Sequence, residues 1–354
     1  MDNPLKTRKA KLAMFGLRLL CFLVILTLAL WYGAYVLAPK YAYGMCPMLN
    51  LYFQPTQSVD VLALGTSLIY CGVNTYVLWQ EYGISTYNLC TAEQPYWVSY
   101  YLLREALKTQ TPKVILLDAR PCVYQEEHSA WYRTVLHTYG ILSPENRIGA
   151  ILASAETWQE AVEFILGVPK VKELYDEVTA VSFVFPPDNE GRGGDWKGYI
   201  EEDDVHQYTR PSLVWSKEEG EIPPKQETYV RKIFELANQK GIPVLLIGVP
   251  NPDYKIDHLS FNSLWSIAAE YGVEGINYNM PTLRFGLNFA KDFADWEHLN
   301  VRGSITFSRK LGQDLKDRYD LPDHRGDEAY ASYETGAAAW FAKLPEFQSA
   351  PEEK

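Results

Sequence analysis

Twenty consecutive residues without a charge, LLCFLVILTLALWYGAYVLA (Leu19–Ala38), leave this chain few options at its N-terminus. At the helical rise they cover about 30 Å, the hydrocarbon thickness of a bilayer. A helix apolar on every side has no face to show to water, so a buried core helix fits poorly. Lys6, Arg8, Lys9, Lys11 and Arg18 precede the stretch, and Trp31, Tyr32 and Tyr35 lie near its far end, where amphipathic rings settle at the membrane interface. A basic flank stays cytoplasmic, which places everything after Pro39 outside. Residues 1–18 are read as a cytoplasmic tail and 19–38 as a single-pass, uncleaved anchor. The alternative is a cleaved signal peptide, whose apolar core is normally about 7–15 residues and ends at a small-x-small site.

The remainder is acidic. Residues 1–18 hold five basic side chains and Asp2, a net +4, so the overall −11 leaves −15 for the rest. Such an exterior argues against nucleic acid and against the anionic membrane surface as partners. Cys46, Cys71, Cys90 and Cys122 lie outside the anchor in no CxxC or metal-ligand spacing. No cofactor or metal is therefore expected, and an oxidising exterior would permit disulfides in pairings that sequence cannot rank.

After a linker over 39–58, apolar runs alternate with helical patterns. Val59–Gly65, Ile84–Cys90 and Lys113–Ala119 read as strands rich in Val, Ile and Leu, a pattern that suits strands covered on both faces. Helices around Val73–Tyr82 and Tyr96–Gln110 separate them. From about 120 to 225 the pattern loosens into an insertion, with one long helical stretch (PENRIGAILASAETWQEAVEFILG) and a Gly/Asp-rich loop, read as a cap or a partner-contact surface. It resumes with a helix ending at Gly241, a strand over Ile242–Pro250, a helix near Ser260–Tyr271, a short strand near Glu274–Tyr278 and a last helix over Val301–Tyr319. The fold class is α/β, a doubly wound parallel sheet spanning 59–320, with 321–354 as a loose tail.

Ser67 follows the first strand directly, in GTSL (Gly65–Leu68), and ligand and catalytic groups of open α/β sheets gather at the carboxyl ends of strands. Read alone, it fits a helix N-cap equally well. Far downstream, DWEH (Asp295–His298) places a carboxylate three residues before an imidazole, ahead of the last helix. Such a pair can orient a histidine as base for a serine hydroxyl. Among the other histidines, His128, His137, His258 and His324 have no acid three residues before them; His206 has Asp203, but it does not stand ahead of the last helix.

Together GTSL and DWEH resemble the first and last blocks of the SGNH/GDSL hydrolase superfamily, with Thr66 where that family has Asp. The anchor and the GTS variant are similar to its extracytoplasmic branch, which includes the teichoic acid D-alanylation protein DltD and the alginate acetylation proteins AlgX and AlgJ. The resemblance implies a three-layer sheet in flavodoxin-like order and a Ser67–His298–Asp295 triad. The implied activity is that of an esterase or O-acyltransferase on ester-linked acyl groups, acetyl or D-alanyl, of a cell-envelope polysaccharide or teichoic acid. It also implies a multi-spanning membrane acyltransferase as the donor's source. The middle blocks depart from the family: Asn88-Leu89-Cys90 stands where N-x-G is expected, and Asp118-Ala119-Arg120 where an asparagine is expected. Cys90 through its backbone N–H, and Asn88 and Arg120 through their side chains, are the resulting oxyanion or substrate candidates, with Asn251 a further possible donor. A non-catalytic glycan-binding or assembly protein keeping the same fold is the competing reading.

Overall fold

Five parallel strands organise the chain outside its N-terminal helix: β1 (Val61–Gly65), β2 (Thr86–Cys90), β3 (Val114–Asp118), β4 (Val244–Gly248) and β5 (Glu274–Asn277), in the order β2-β1-β3-β4-β5. The computed structural model describes residues 4–38, 40–166, 178, 180–184, 196–210, 216–252, 258–280, 282–283 and 285–344. The first four strands are buried along their whole length, which is why β1, β3 and β4 read as apolar runs rather than alternating ones, while β2 also buries Thr86 and Asn88. Register is in step across the centre, with Leu62 beside Ile115 and Tyr87, and Leu116 beside Leu245.

Alternate strand residues feed two cores. Leu62, Leu64, Ile115, Leu117 and Leu246 face α5 (Tyr96–Ala106), α9 (Pro224–Lys240) and α10 (His258–Glu270). Val61, Ala63, Leu116, Leu245 and Ile247 face α3 (Ser67–Gly72), α4 (Thr75–Tyr82) and α11 (Val301–Arg318). The result is three layers, doubly wound. The order turns back between β1 and β3, and the crevice beyond their carboxyl ends is where such sheets hold ligands. Gly241 ends α9 in the left-handed region at φ 67°, as its C-cap position requires.

Three boundaries differ from the sequence reading. The predicted linker carries α2 (Cys46–Leu51), whose residues are all buried and which packs on β2. The long helical stretch breaks into α7 (Pro144–Ser154) and α8 (Trp158–Leu166), joined after α6 (Trp131–Thr138). These helices pack on α5 and on the N-terminal helix α1 (Pro4–Leu37), so this part of the insertion is a flank and not a cap. The predicted loose tail contains α12 (Ala331–Lys343), which docks on α4 and buries Tyr333, Ala337 and Trp340. Its Ala- and Gly-rich composition hid a helix whose few aromatic residues all face inward. Residues 186–195 of the predicted Gly-rich loop and 345–354 of the tail lie outside the described residues.

α1 contains a segment, Arg8–Leu37, long and apolar enough to cross a membrane. No disulfide joins any of the five cysteines, and the four outside α1 are buried.

Candidate active site

Ser67 is the one residue between Ser58 and Thr75 that is not buried, and the sequence around it explains why. Gly65 ends β1 where a side chain has no room: a Cβ there would lie 2.3 Å from Cβ of Asp118 and 2.7 Å from Cγ1 of Ile69. The close approach of β3 therefore demands glycine at this position. The capping role falls to Thr66, not to Ser67. The Thr66 hydroxyl accepts the Leu68 N–H at 3.2 Å and donates to Oδ2 of Asp118 at 2.6 Å. Asp118 is fully buried; its Oδ2 also accepts the Thr66 N–H at 3.0 Å and its Oδ1 the Arg120 N–H at 2.9 Å. Burial pushes its pKa up, against the pull of these donors. Ser67, relieved of capping, is the first residue of α3, where helix geometry gives its own N–H no intrahelical acceptor.

The opposing pair comes from the loop between β5 and α11. Phe293, fully buried, pairs with Leu299 in an antiparallel bridge, and the Ala294 N–H donates to the His298 carbonyl at 2.9 Å, closing Asp295–His298 into a tight loop. Gly303 lets α11 start beneath it, since a Cβ there would lie 2.1 Å from the Asp292 carbonyl oxygen. Asn300 caps α11 by accepting the Gly303 N–H. Within the loop, Oδ1 of Asp295 accepts the N–H groups of Glu297 and His298, both at 2.7 Å, a side-chain turn that aspartate makes readily.

These two loops bring the predicted trio together. Nδ1 of His298 lies 2.7 Å from Oδ2 of Asp295, and Nε2 lies 2.7 Å from Oγ of Ser67. A carboxylate only accepts, so Nδ1 carries the proton and Nε2 is left to accept from the Ser67 hydroxyl. Burial opposes ionisation of Asp295, but the donors from His298 and Glu297 outweigh it and its pKa lies below the usual carboxylate value.

The other candidates separate. Asn88 is buried mid-strand and its Nδ2 donates to the Val73 carbonyl at 2.8 Å, so it offers nothing to Ser67. The Cys90 thiol points into the core at the Ala63 carbonyl, and burial raises its pKa well above the ordinary thiol range. Its side chain does not belong to the site. Both corrections have one cause: β2 stays in register with β1 as far as Gly65–Cys90, so its side chains still alternate into the two cores. Arg120 does reach the rim, after β3, but its guanidinium is paired with Glu297 at 2.5 Å. The Asn251 N–H donates to Oδ1 of Asn279.

Sequence reasoning missed Asp118, whose partner Thr66 was visible, and Glu202. Glu202 stands beside Cys71, and burial raises its pKa against the pull of His298. It also missed an acid for His324, whose Nε2 lies 2.7 Å from Oδ2 of Asp60 across 264 positions. That pair sits at the amino end of β1, and Ser85 there bonds the aspartate rather than the imidazole, so no serine relay results. Beside the site, Trp296 is 54% exposed. A cleft of about 620 Å³ opens to one side, past the ends of β4 and β5, lined by Tyr208, Arg210, Tyr278, Asn279 and Phe289. Among the described residues no cluster of His, Cys, Asp and Glu is placed to hold a metal ion. The chain matches no protein-family model and no curated protein.

Proposed function

We propose that this chain is a membrane-anchored, extracytoplasmic serine esterase or O-acyltransferase of the SGNH type. It acts on ester-linked acyl groups, acetyl or D-alanyl, of a cell-envelope polysaccharide or teichoic acid. One observation carries the reading: the serine–imidazole–carboxylate relay, with both links at 2.7 Å, at the carboxyl end of β1. In this mechanism Oγ of Ser67 attacks the ester carbonyl as Nε2 of His298 takes its proton. The imidazolium forms against Asp295, which holds its orientation and balances its charge. Negative charge on the carbonyl oxygen meets the Ser67 N–H at the start of α3, where the helix end favours an anion. Collapse expels the alcohol, which takes the proton back from Nε2 and leaves an acyl-serine. Water or a sugar hydroxyl then gives its proton to Nε2, attacks the acyl carbon and regenerates Ser67. The exposed indole of Trp296 offers a sugar ring a flat apolar face, and the strand-order switch beside β3 supports ligand placement here.

The order of elements supports the family reading: serine after β1, D-x-x-H before the last sheet-packed helix, and strands in flavodoxin-like order. A multi-spanning acyltransferase as donor partner, and a cytoplasmic N-terminus, belong to the same proposal. The competing glycan-binding reading draws on the departures from the family pattern at Cys90 and Arg120, the latter with its guanidinium paired to Glu297. Purified protein given a chromogenic acetyl ester and a fluorophosphonate probe separates the two. Catalysis requires turnover and a covalent adduct on Ser67, both lost in Ser67→Ala and His298→Ala. Glycan binding without turnover or adduct refutes the enzyme reading.

A further inference from the structure

The anchor is too short for the way it is packed. The side chains from Arg8 through Ala29 are exposed, and those described from Leu30 onward are partly or fully covered except Tyr32. Trp31 lies under the Arg147 guanidinium at 4.9 Å, the Tyr35 hydroxyl donates to the Val184 carbonyl, and Val36 and Ala38 are buried. The charge-free residues before that contact, Leu19 to Ala29, cover only about 17 Å of a hydrocarbon core about 30 Å thick. Completing the span from the other side draws Arg18 into hydrocarbon, a costly placement. Completing it with Leu30–Leu37 instead brings whatever packs on those residues down to the same depth.

What packs there has an apolar outer face. α8 and residues 180–184 both contact α1. Trp158, Val162, Ile165 and Leu166 follow the i, i+4, i+7, i+8 spacing of one helix face, flanking the buried Ala161 and Phe164. Trp158 is 69% and Leu166 49% exposed, and on the other segment that contacts α1 Phe183 is 55% exposed.

We propose that the apolar side chains of α8 and those of Phe183 and Val184 rest in the interfacial layer of the bilayer that α1 crosses, so that the domain is seated on the membrane and not tethered above it. Bilayer lipid is the occupant, because the face is continuous with the membrane helix and lies at the depth the span requires. The seat also sets the height of the candidate site. The segment leaving α1 hydrogen-bonds the exit of β2, with the Ala92 N–H donating to the Tyr43 carbonyl at 2.8 Å. The serine at the neighbouring β1 exit is thereby held on the membrane-attached side of the sheet, suited to an acyl donor delivered at the lipid surface. The inference rests on α1 spanning a membrane.

The test uses the full chain in vesicles of phosphatidylcholine and phosphatidylglycerol, with Cys21→Ser removing the one exposed native cysteine. Nitroxide labels are placed singly at Leu166→Cys and Phe183→Cys, at Leu26→Cys inside the span, and at Gln313→Cys on the exposed face of α11. Collision with oxygen and with a water-soluble nickel chelate is read at each, and unchanged circular dichroism controls for folding. The expected result is an oxygen-to-nickel ratio at 166 and 183 several-fold above that at 313, approaching the value at 26. A ratio at 166 and 183 equal to that at 313, with 26 still in lipid, overturns the seat alone. A water-exposed label at 26 overturns the anchor and the seat together.

Discussion

Replacing Thr66 with valine tests the chain of contacts that sets Ser67. The change conserves volume and removes one hydroxyl that makes two bonds: to Oδ2 of Asp118 at 2.6 Å, and from the Leu68 N–H at 3.2 Å. Loss of the cap on α3 costs about 1 kcal/mol. Loss of a hydrogen bond to a fully buried carboxylate costs about 1.5–3 kcal/mol more, because no water replaces it. Two backbone donors, from Thr66 and Arg120, remain to hold Asp118, so the side chain stays in place and the effects add. The expected destabilisation is about 2.5–4 kcal/mol by denaturant unfolding, against under about 1 kcal/mol for Thr66→Ser, which keeps the hydroxyl. Since misplacing a reacting group by about 1 Å can cost on the order of a hundredfold, the rate of fluorophosphonate labelling at Ser67 should fall ten- to a hundred-fold in Thr66→Val, an order-of-magnitude range from the same principle. Stability within about 0.5 kcal/mol of the parent, the scatter of ordinary surface substitutions, refutes the argument outright. Lost stability with unchanged labelling would show that Thr66 holds the fold but not the serine.

Under the proposed mechanism, Asp295→Asn should lower kcat for ester hydrolysis by about 10³–10⁴-fold with little change in KM, by destroying the tautomer that leaves Nε2 free to accept; a fall under tenfold, less than about 1.4 kcal/mol, contradicts that role. His137 is fully buried beside the Ala92 carbonyl, and burial lowers its pKa to about 4 from 6.5. A depressed folded-state pKa means the unfolded chain binds the extra proton. The stability from His137 is therefore complete above about pH 6.5, declines as pH falls toward 4, and amounts to roughly 3 kcal/mol over that window. His137→Gln should flatten this part of the stability profile, and a parallel profile would be evidence against the assignment. Trp340→Ala, at 3% exposure and stacked on Tyr76, should cost about 3–5 kcal/mol in thermal or denaturant unfolding; no change would return 331–343 to the loose tail its composition suggests.

The legible parts of this protein share a property: they are local. β1, β3 and β4 show as apolar runs because both faces of each strand are covered, and Gly241 shows as a helix stop because only the adjacent backbone is involved. α12 was illegible because its stability comes from Trp79, Tyr76 and Tyr199, which lie more than 130 positions away in sequence. The same holds for α2, read as linker because six residues carry no periodicity long enough to register.

For the site, the sequence by itself determined which residue types stand at which strand ends: a serine after β1 and an Asp-x-x-His before the last sheet-packed helix. Chain order and local turn chemistry were sufficient for that. Tertiary structure alone decided what those residues do to each other. Ser67 and His298 are 231 positions apart, and only the packing of α11 beside α3 brings Oγ and Nε2 to 2.7 Å. It also decided against the Asn88 side chain and the Cys90 thiol, because strand register, a relation between two segments, turns both into the core. And it gave the capping bond to Thr66, which Asp118 holds from the next strand, leaving the serine hydroxyl to the histidine.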